Sequence, residues 1–334
     1  MSPCEKFVLS GGFTKASNLG LFLDCILFSM GKGATSSGPG ALIGAVFFFI
    51  IVHHAYKQAP AVWMWDDNKA PQVPGKFLAT QVLADPKPYL AWAKKRGVLH
   101  TWIDPISAIV SPTPKAVADL SNFLTLSRKQ GLTTQFLFAS TGSSDPAGTG
   151  SNELDAIFGL LKQIDKKFWP SAVQTNIEGL GGGVDATKQY NAHKAFKAKV
   201  DSFNLKNGTQ LGLAASVGFW WLKFEAGGDP PKVGGKDYGL ALLELGFDVT
   251  VQVYRKPEWT IKPAEKWSDV AGDFGRQAWI GLLVGPKETG SYDYSDKIEA
   301  LGGAFADVVD ACINKPGFAG VAAHDTYYWQ KAAP

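Results

Sequence analysis

From Ala61 onward, short runs rich in β-branched and aromatic residues alternate with longer stretches whose apolar residues recur three and four positions apart. The runs are 61–67 (AVWMWDD), 97–104 (GVLHTWID), 134–141 (TQFLFAST), 171–179 (SAVQTNIEG), 210–221 (QLGLAASVGFWW), 247–255 (FDVTVQVYR), 277–285 (QAWIGLLVG) and 317–329 (GFAGVAAHDTYYW). Strands that alternate with helices pair in parallel, and eight such units predict a closed (β/α)8 TIM barrel, with 61–334 as one domain. A doubly wound open sheet would need a glycine-rich phosphate turn after its first strand, and Asp66-Asp67-Asn68 is not one.

The helix signals agree with this pattern. Asp85-Pro86 and Thr113-Pro114 each set a capping side chain before a proline of the first turn, and Gly97 and Gly131 end the helices so begun. Amphipathic stretches at 152–169, 186–204 and 295–314 predict further helices. The helix after the sixth strand is weakly marked and is placed at 263–274.

Residues 1–60 do not share the pattern. Within them, 41–52 (ALIGAVFFFIIV) is apolar without a break. That is shorter than the roughly 20 residues a membrane span needs, and it suits the apolar region of a signal peptide. Cleavage is expected at 53–55 or 57–59, and a retained signal anchor is the alternative. Met30, followed by Lys32, gives a shorter charged leader than Met1 does. The expected location is therefore outside the cell, with membrane contact limited to this segment. Asn207-Gly208-Thr209 is an acceptor sequence for N-glycosylation.

Composition narrows the function. With 46% hydrophobic residues, the chain can bury one large core. The net charge is only +3, and its lysines are spread along helical stretches such as 162–167 and 194–199, which read as solvated faces. Nucleic-acid binding needs a concentrated basic face, so it is excluded. Cys4, Cys25 and Cys312 cannot form a disulfide framework, and Cys312 sits in an apolar helical stretch where burial is expected. No cysteine or histidine spacing suggests a metal, and no cofactor is expected. Nothing in the sequence bears on oligomeric state.

In such a barrel the functional groups sit at the C-terminal strand ends. Along the fourth strand, Val173, Thr175 and Ile177 form one face, suited to packing against helices. Gln174, Asn176 and Glu178 form the other and point inward. Glu178 comes last, just before Gly179. A carboxylate at the mouth is costly unless it is used or paired, so it is either catalytic or bonded to a neighbour such as Arg255 or Lys223. Other strand ends supply Trp65, Asp66 and Asp67; His100, Trp102 and Asp104; Trp220-Trp221; Gln252, Tyr254 and Arg255; and His324-Asp325, followed by Tyr327, Tyr328 and Trp329. Aromatic faces beside carboxylates and amides are what a sugar needs, so the expected ligand is a carbohydrate.

These motifs resemble the chitinase-like barrel hydrolases and their relatives, the endo-β-N-acetylglucosaminidases. Asn176-Ile177-Glu178 has the spacing that this group uses at the end of its fourth strand, and matches the Asn-x-Glu pair of the endoglucosaminidases. Gln252-x-Tyr254 is similar to the group's sixth-strand motif. The chain departs from the chitinases proper in having Gln174 and Asn176 where they carry acidic residues, and it lacks their last-strand tryptophan in Ala322-Ala323-His324-Asp325. The resemblance implies a substrate-assisted retaining mechanism. In it Glu178 is the acid and base, Asn176 orients the substrate's 2-acetamido group, and Tyr254 helps to hold that group. With a neutral Asn176 beside it, the Glu178 pKa would be raised less than by an aspartate. Binding roles fall to Trp65, Asp67, Trp102, Asp104, Trp220, Gln252, His324 and Asp325.

Two other readings remain open. A two-carboxylate retaining glycosidase needs a second acid about 5 Å from Glu178, for which Glu288, Asp67, Asp104 and Asp325 are candidates. A carbohydrate-binding barrel without turnover needs none.

Overall fold

The structure, a computed structural model, describes residues 59–64, 78–105, 112–138, 148–177, 179–182, 184–224, 228–285, 292–294 and 298–332. Eight parallel strands close into a barrel: β1 (Ala61–Met64), β2 (His100–Ile103), β3 (Thr133–Phe138), β4 (Ala172–Thr175), β5 (Gly212–Gly218), β6 (Asp248–Gln252), β7 (Ala278–Leu283) and β8 (Phe318–His324). Each strand pairs with its sequence neighbours, and β8 closes the ring on β1 with Ala322 opposite Ala61. A two-stranded antiparallel hairpin, Lys232–Val233 with Lys236–Asp237, is inserted between β5 and the helix that precedes β6. The apolar stretch at 41–52 lies outside the described residues, among which no helix is long and apolar enough to cross a membrane.

Helices pack on the outside: α1 (Ala79–Ala84), α2 (Lys87–Arg96), α3 (Pro114–Lys129), α4 (Gly148–Leu161), α5 (Ala186–Asn207), α6 (Tyr238–Leu245), α7 (Pro257–Asp273), α8 (Ile298–Cys312) and α9 (Thr326–Ala332). Their ends follow local chemistry. Thr113 caps α3 by accepting from the Ala116 N–H, and Asp185 caps α5 by accepting from the Lys188 N–H. Gly97 and Gly131 follow the ends of α2 and α3 at φ 70° and 81°, a left-handed turn that glycine enters at little cost. The Asp85 carboxylate accepts the first N–H of α2, that of Lys87, at 3.4 Å, one residue further out than an N-cap side chain. Pro86 occupies the N-cap position, and Asp85 also closes the short α1.

Outward strand residues such as Val62, Ile103, Phe136, Val173, Ile177, Val249 and Val251 join the helices in the main core. Cys312 is fully buried there, and burial pushes its thiol up to about 11. Inward residues form a smaller, separate cluster of Ala61, Trp63, Trp102, Leu137, Trp279, Ala319 and Ala322.

The strand registers stack the inward residues in layers contributed by alternate strands, as tilted barrels require. One layer holds Trp102, Gln174, Thr250 and Ala322. The next holds Trp63, Leu137, Ser216 and Gly281. The volumes fit: a side chain on Gly281 would meet the Trp63 ring at 2.6 Å, so the indole reaches across to β7 where no side chain stands. Polar groups at this depth bond to one another, as they must away from water. Gln174 Nε2 donates to Ser216 Oγ at 2.8 Å, Thr250 donates to Gln174 Oε1 at 3.2 Å, and Trp102 Nε1 donates to Gln135 at 2.8 Å.

Three boundaries differ from the sequence reading. The fifth strand stops at Gly218, and Phe219–Trp221 forms a 3-10 turn. The eighth strand stops at His324, and Thr326–Ala332 is helical, so Tyr327, Tyr328 and Trp329 are not strand residues. The helix after the sixth strand begins at Pro257, six residues before its expected start, and carries Pro263 inside it.

Candidate active site

Two residues above the Trp102–Gln174–Thr250–Ala322 layer, the same inward faces reach the C-terminal mouth. Gln252 ends β6 and His324 ends β8 at that level, and Asp104 and Asn176 follow the ends of β2 and β4 in the same alternation. All four are half-buried, whereas Gln174 and Thr250 below them are fully buried. Sequence reasoning named each of the four separately, and the barrel brings them to one level.

His324 anchors this layer. Its ring stands edge-on to Trp63, with centroids 5.4 Å apart and an interplanar angle of 81°. Tyr254, two residues beyond Gln252, lies over it at 5.2 Å and 30°. Burial among these rings lowers the imidazole pKa to about 3, so His324 is neutral at ordinary pH. The mouth layer is then a set of neutral hydrogen-bonding groups with one carboxylate, Asp104, on its β2 side.

Other residues frame the opening. Trp220 is 39% exposed, and its ring folds back over Gly218, where an added Cβ would meet the indole nitrogen at 2.5 Å. Gly218 pairs in register with Gln252, which sets this indole beside the β6 mouth. Arg255 lies over the Phe219 ring at 5.1 Å, and Lys223 pairs with Asp229 at 2.7 Å on the surface. Tyr292 donates its backbone N–H to the Tyr254 carbonyl at 3.0 Å, and Tyr294 donates to Leu283 at 3.0 Å. Asp293 accepts from the Gly285 N–H at 3.1 Å, so this segment is tied to the ends of β6 and β7. Sequence reasoning missed it, because it follows no strand pattern.

The remaining expected site residues fall elsewhere. Glu178, Trp65, Asp67 and Glu288 lie outside the described residues. Trp102 is 1% exposed and plugs the barrel interior between Trp63 and Trp279, at 5.1 and 5.3 Å. Asp325 is buried and caps α9, its carboxylate accepting from the Tyr328 N–H at 3.1 Å. Trp221 and Trp329 are buried against helices, Trp221 on Tyr238 at 5.0 Å and Trp329 on Trp92 at 5.3 Å. Trp63 was the overlooked residue. Alternation in 61–67 sets it on the same face as Trp65, and that signal was there to be used. Among the described residues, no group of three His, Cys, Asp or Glu side chains is placed to hold a metal ion.

No protein-family model matches the chain, and no curated protein resembles it in sequence. Solved structures do. A GH18 chitinase from Pseudoalteromonas aurantia matches with a TM-score of 0.51 and 11% identity, over 82% of this chain and 96% of that one. An endo-1,4-beta-D-mannanase from Thermotoga petrophila matches at 0.51 and 11%, over 80% and 87%. A beta-glycosidase matches at 0.51 and 13%, over 81% and 87%. The shared feature is the (β/α)8 barrel. At these identities the likeness is one of fold, and the chemistry has to be argued from the site.

Proposed function

We propose that this chain is a glycoside hydrolase that works at the C-terminal mouth of its barrel. The observation that carries the reading is the mouth, where Gln252 ends β6, neutral His324 ends β8 against the Tyr254 ring, Asn176 follows β4, and Trp220 folds over Gly218, the register partner of Gln252. Neutral donors and acceptors next to aromatic faces match a sugar, whose hydroxyl and amide groups need bonds and whose C–H faces need rings. That several barrels of the same fold are described as chitinase, mannanase or beta-glycosidase supports the class of reaction.

In the mechanism we favour, the substrate carries a 2-acetamido group. Glu178, two residues beyond Asn176, donates its proton to the leaving oxygen as the glycosidic bond breaks. The acetamido carbonyl oxygen attacks the anomeric carbon. Asn176 orients that group and Tyr254 holds it. Glu178, now a carboxylate, takes a proton from water, which opens the cyclic intermediate with retention. Trp102 and Asp325 support the site from below and behind, and Trp220 offers a face to the sugar.

Glu178→Gln is expected to cut turnover about 10²–10⁴-fold while sugar binding persists. Asn176→Ala is expected to lower turnover of acetamido sugars. Wild-type protein that binds such glycans yet releases no product from them or from plain β-glucans would replace hydrolysis with carbohydrate binding alone.

One observation favours a second scheme. Asp104 shares the mouth level with Asn176, which makes it the described carboxylate best placed for a two-carboxylate mechanism. Asp104→Asn inactive beside a fully active Asn176→Ala would establish that scheme. Secretion is part of the proposal. It is supported by the apolar segment at 41–52 and the acceptor sequence at Asn207, and is tested by whether full-length protein reaches the medium carrying a glycan.

A further inference from the structure

The barrel has a second polar end. At the N-terminal ends of the strands, opposite the mouth, lies a recess of about 220 Å³. Asp248, Gln135, Gln277, Thr250 and His100 line it, and Trp279 contributes its aromatic wall. Such a floor is usually closed by core side chains, because it carries no catalytic loops.

We propose that this recess binds one small neutral polyhydroxylated ring, a monosaccharide, at a site separate from the mouth. Volume sets the first limit. At about 220 Å³ the recess falls below the usual span of drug-sized pockets, which leaves room for a single ring and not for a chain. Charge sets the second. Asp248 is the one carboxylate in the lining; its Oδ1 accepts the Gln277 N–H at 2.9 Å, and Arg276 stands near enough to act on it. His100 is 5% exposed and neutral, since burial lowers its pKa to about 3. A carboxylate so balanced, among neutral amides and hydroxyls, repels anions and gives no multidentate cage for a cation.

Donor geometry sets the third limit. Gln135 spends its carbonyl oxygen on the Trp102 indole at 2.8 Å, which turns its amide N–H groups to the role of donor. Asp248 keeps acceptor capacity for vicinal hydroxyls, because a carboxylate accepts about four hydrogen bonds. Trp279 is 6% exposed and held edge-on by His100 at 4.4 Å and by Trp102 at 5.3 Å, so it gives the recess a rigid apolar wall against which the C–H groups of a ring can rest.

The test is calorimetric titration of the full chain with D-glucose, N-acetyl-D-glucosamine and inorganic phosphate, alongside saturation-transfer NMR. Ser171 is exposed at the rim, so Ser171→Trp plugs the opening without entering the core. One pyranose per chain should bind at the floor, in addition to any held at the mouth, phosphate should not, and Ser171→Trp and Asp248→Asn should each weaken the floor binding about tenfold or more. Trp220→Ala should leave this binding unchanged while it weakens binding at the mouth, which separates the two sites. Gln277→Ala, at another exposed rim position, replaces Asp248→Asn if that variant does not fold. Absence of any pyranose signal overturns the proposal. So does binding that survives the rim and floor substitutions and vanishes in Trp220→Ala.

Discussion

Gln174 on the inward face of β4 and Asn176 just past its end stand two residues apart, and they meet different surroundings. Gln174 is fully buried, and its amide is spent on Ser216 and Thr250. Asn176 is half-buried at the level of Gln252 and His324. Two similar amides thus differ by depth: one is spent holding the strands together, and the other reaches the mouth. The same division separates Trp102, sealed in the interior, from Trp220, laid over the end of β5 and open to solvent. Residue type said "sugar site" for all of these, and burial sorts them.

The largest stability effect should come from the middle. Trp63→Ala empties the space between β1 and β7 and should cost about 3–5 kcal/mol in denaturant unfolding. Because Trp63 also props His324, the variant should disturb the mouth as well, lowering turnover in protein that remains folded. An unchanged turnover would show that the two levels are independent.

The amide pair gives the sharpest contrast. Gln174→Ala leaves two buried hydroxyls without their partner and should cost about 2–3 kcal/mol, with a modest effect on turnover. Asn176→Ala should stay within about 0.5 kcal/mol of wild type in stability and lose activity instead. If both variants lose stability alike, depth is not the divider.

Acid should act on the floor, the helix layer and the mouth. His100 and His324 take their protons at about pH 3 when folded and His193 at about 4, all through burial, against about 6.5 in the unfolded chain. Between those values the unfolded chain binds protons that the folded one refuses. Stability therefore falls as pH drops through 6.5 toward 4, by about 1.4 kcal/mol per pH unit for each histidine. Glu153 opposes this: burial raises it to about 7, so it adds stability as the pH falls from 7 toward 4.5 and offsets part of the histidine loss. His100→Asn should recover about 2 kcal/mol of the loss between pH 6.5 and 5, measured by denaturation at both values. The smallest effect belongs to Asp325→Ala, which removes the α9 cap and should cost about 1 kcal/mol.

Much of the barrel was legible because period-two strands and capped helices leave local signals. Thr113 and Gly97 are two that appear as written. The errors came where local chemistry is ambiguous. The run 325–329 is aromatic and lacks glycine or proline, so it reads as a strand; the Asp325 cap turns it into a helix. Pro263 reads as a helix start, although Pro257 already begins that helix. The site was legible as a set of residue types at strand ends. Its depth was not, because the level of an inward residue depends on the tilt of all eight strands, which no local window contains.

The three interior indoles also have an optical consequence. Trp63, Trp102 and Trp279 are held with centroids 5.1 and 5.3 Å apart at oblique angles of 31° and 85°. Transition dipoles so close and so skewed couple as an exciton. The near-ultraviolet circular dichroism of this protein should therefore carry a split band that exists only while β1, β2 and β7 stand in register around a shared centre. Loss of that band would report opening of the barrel directly, ahead of any change in the helices outside it.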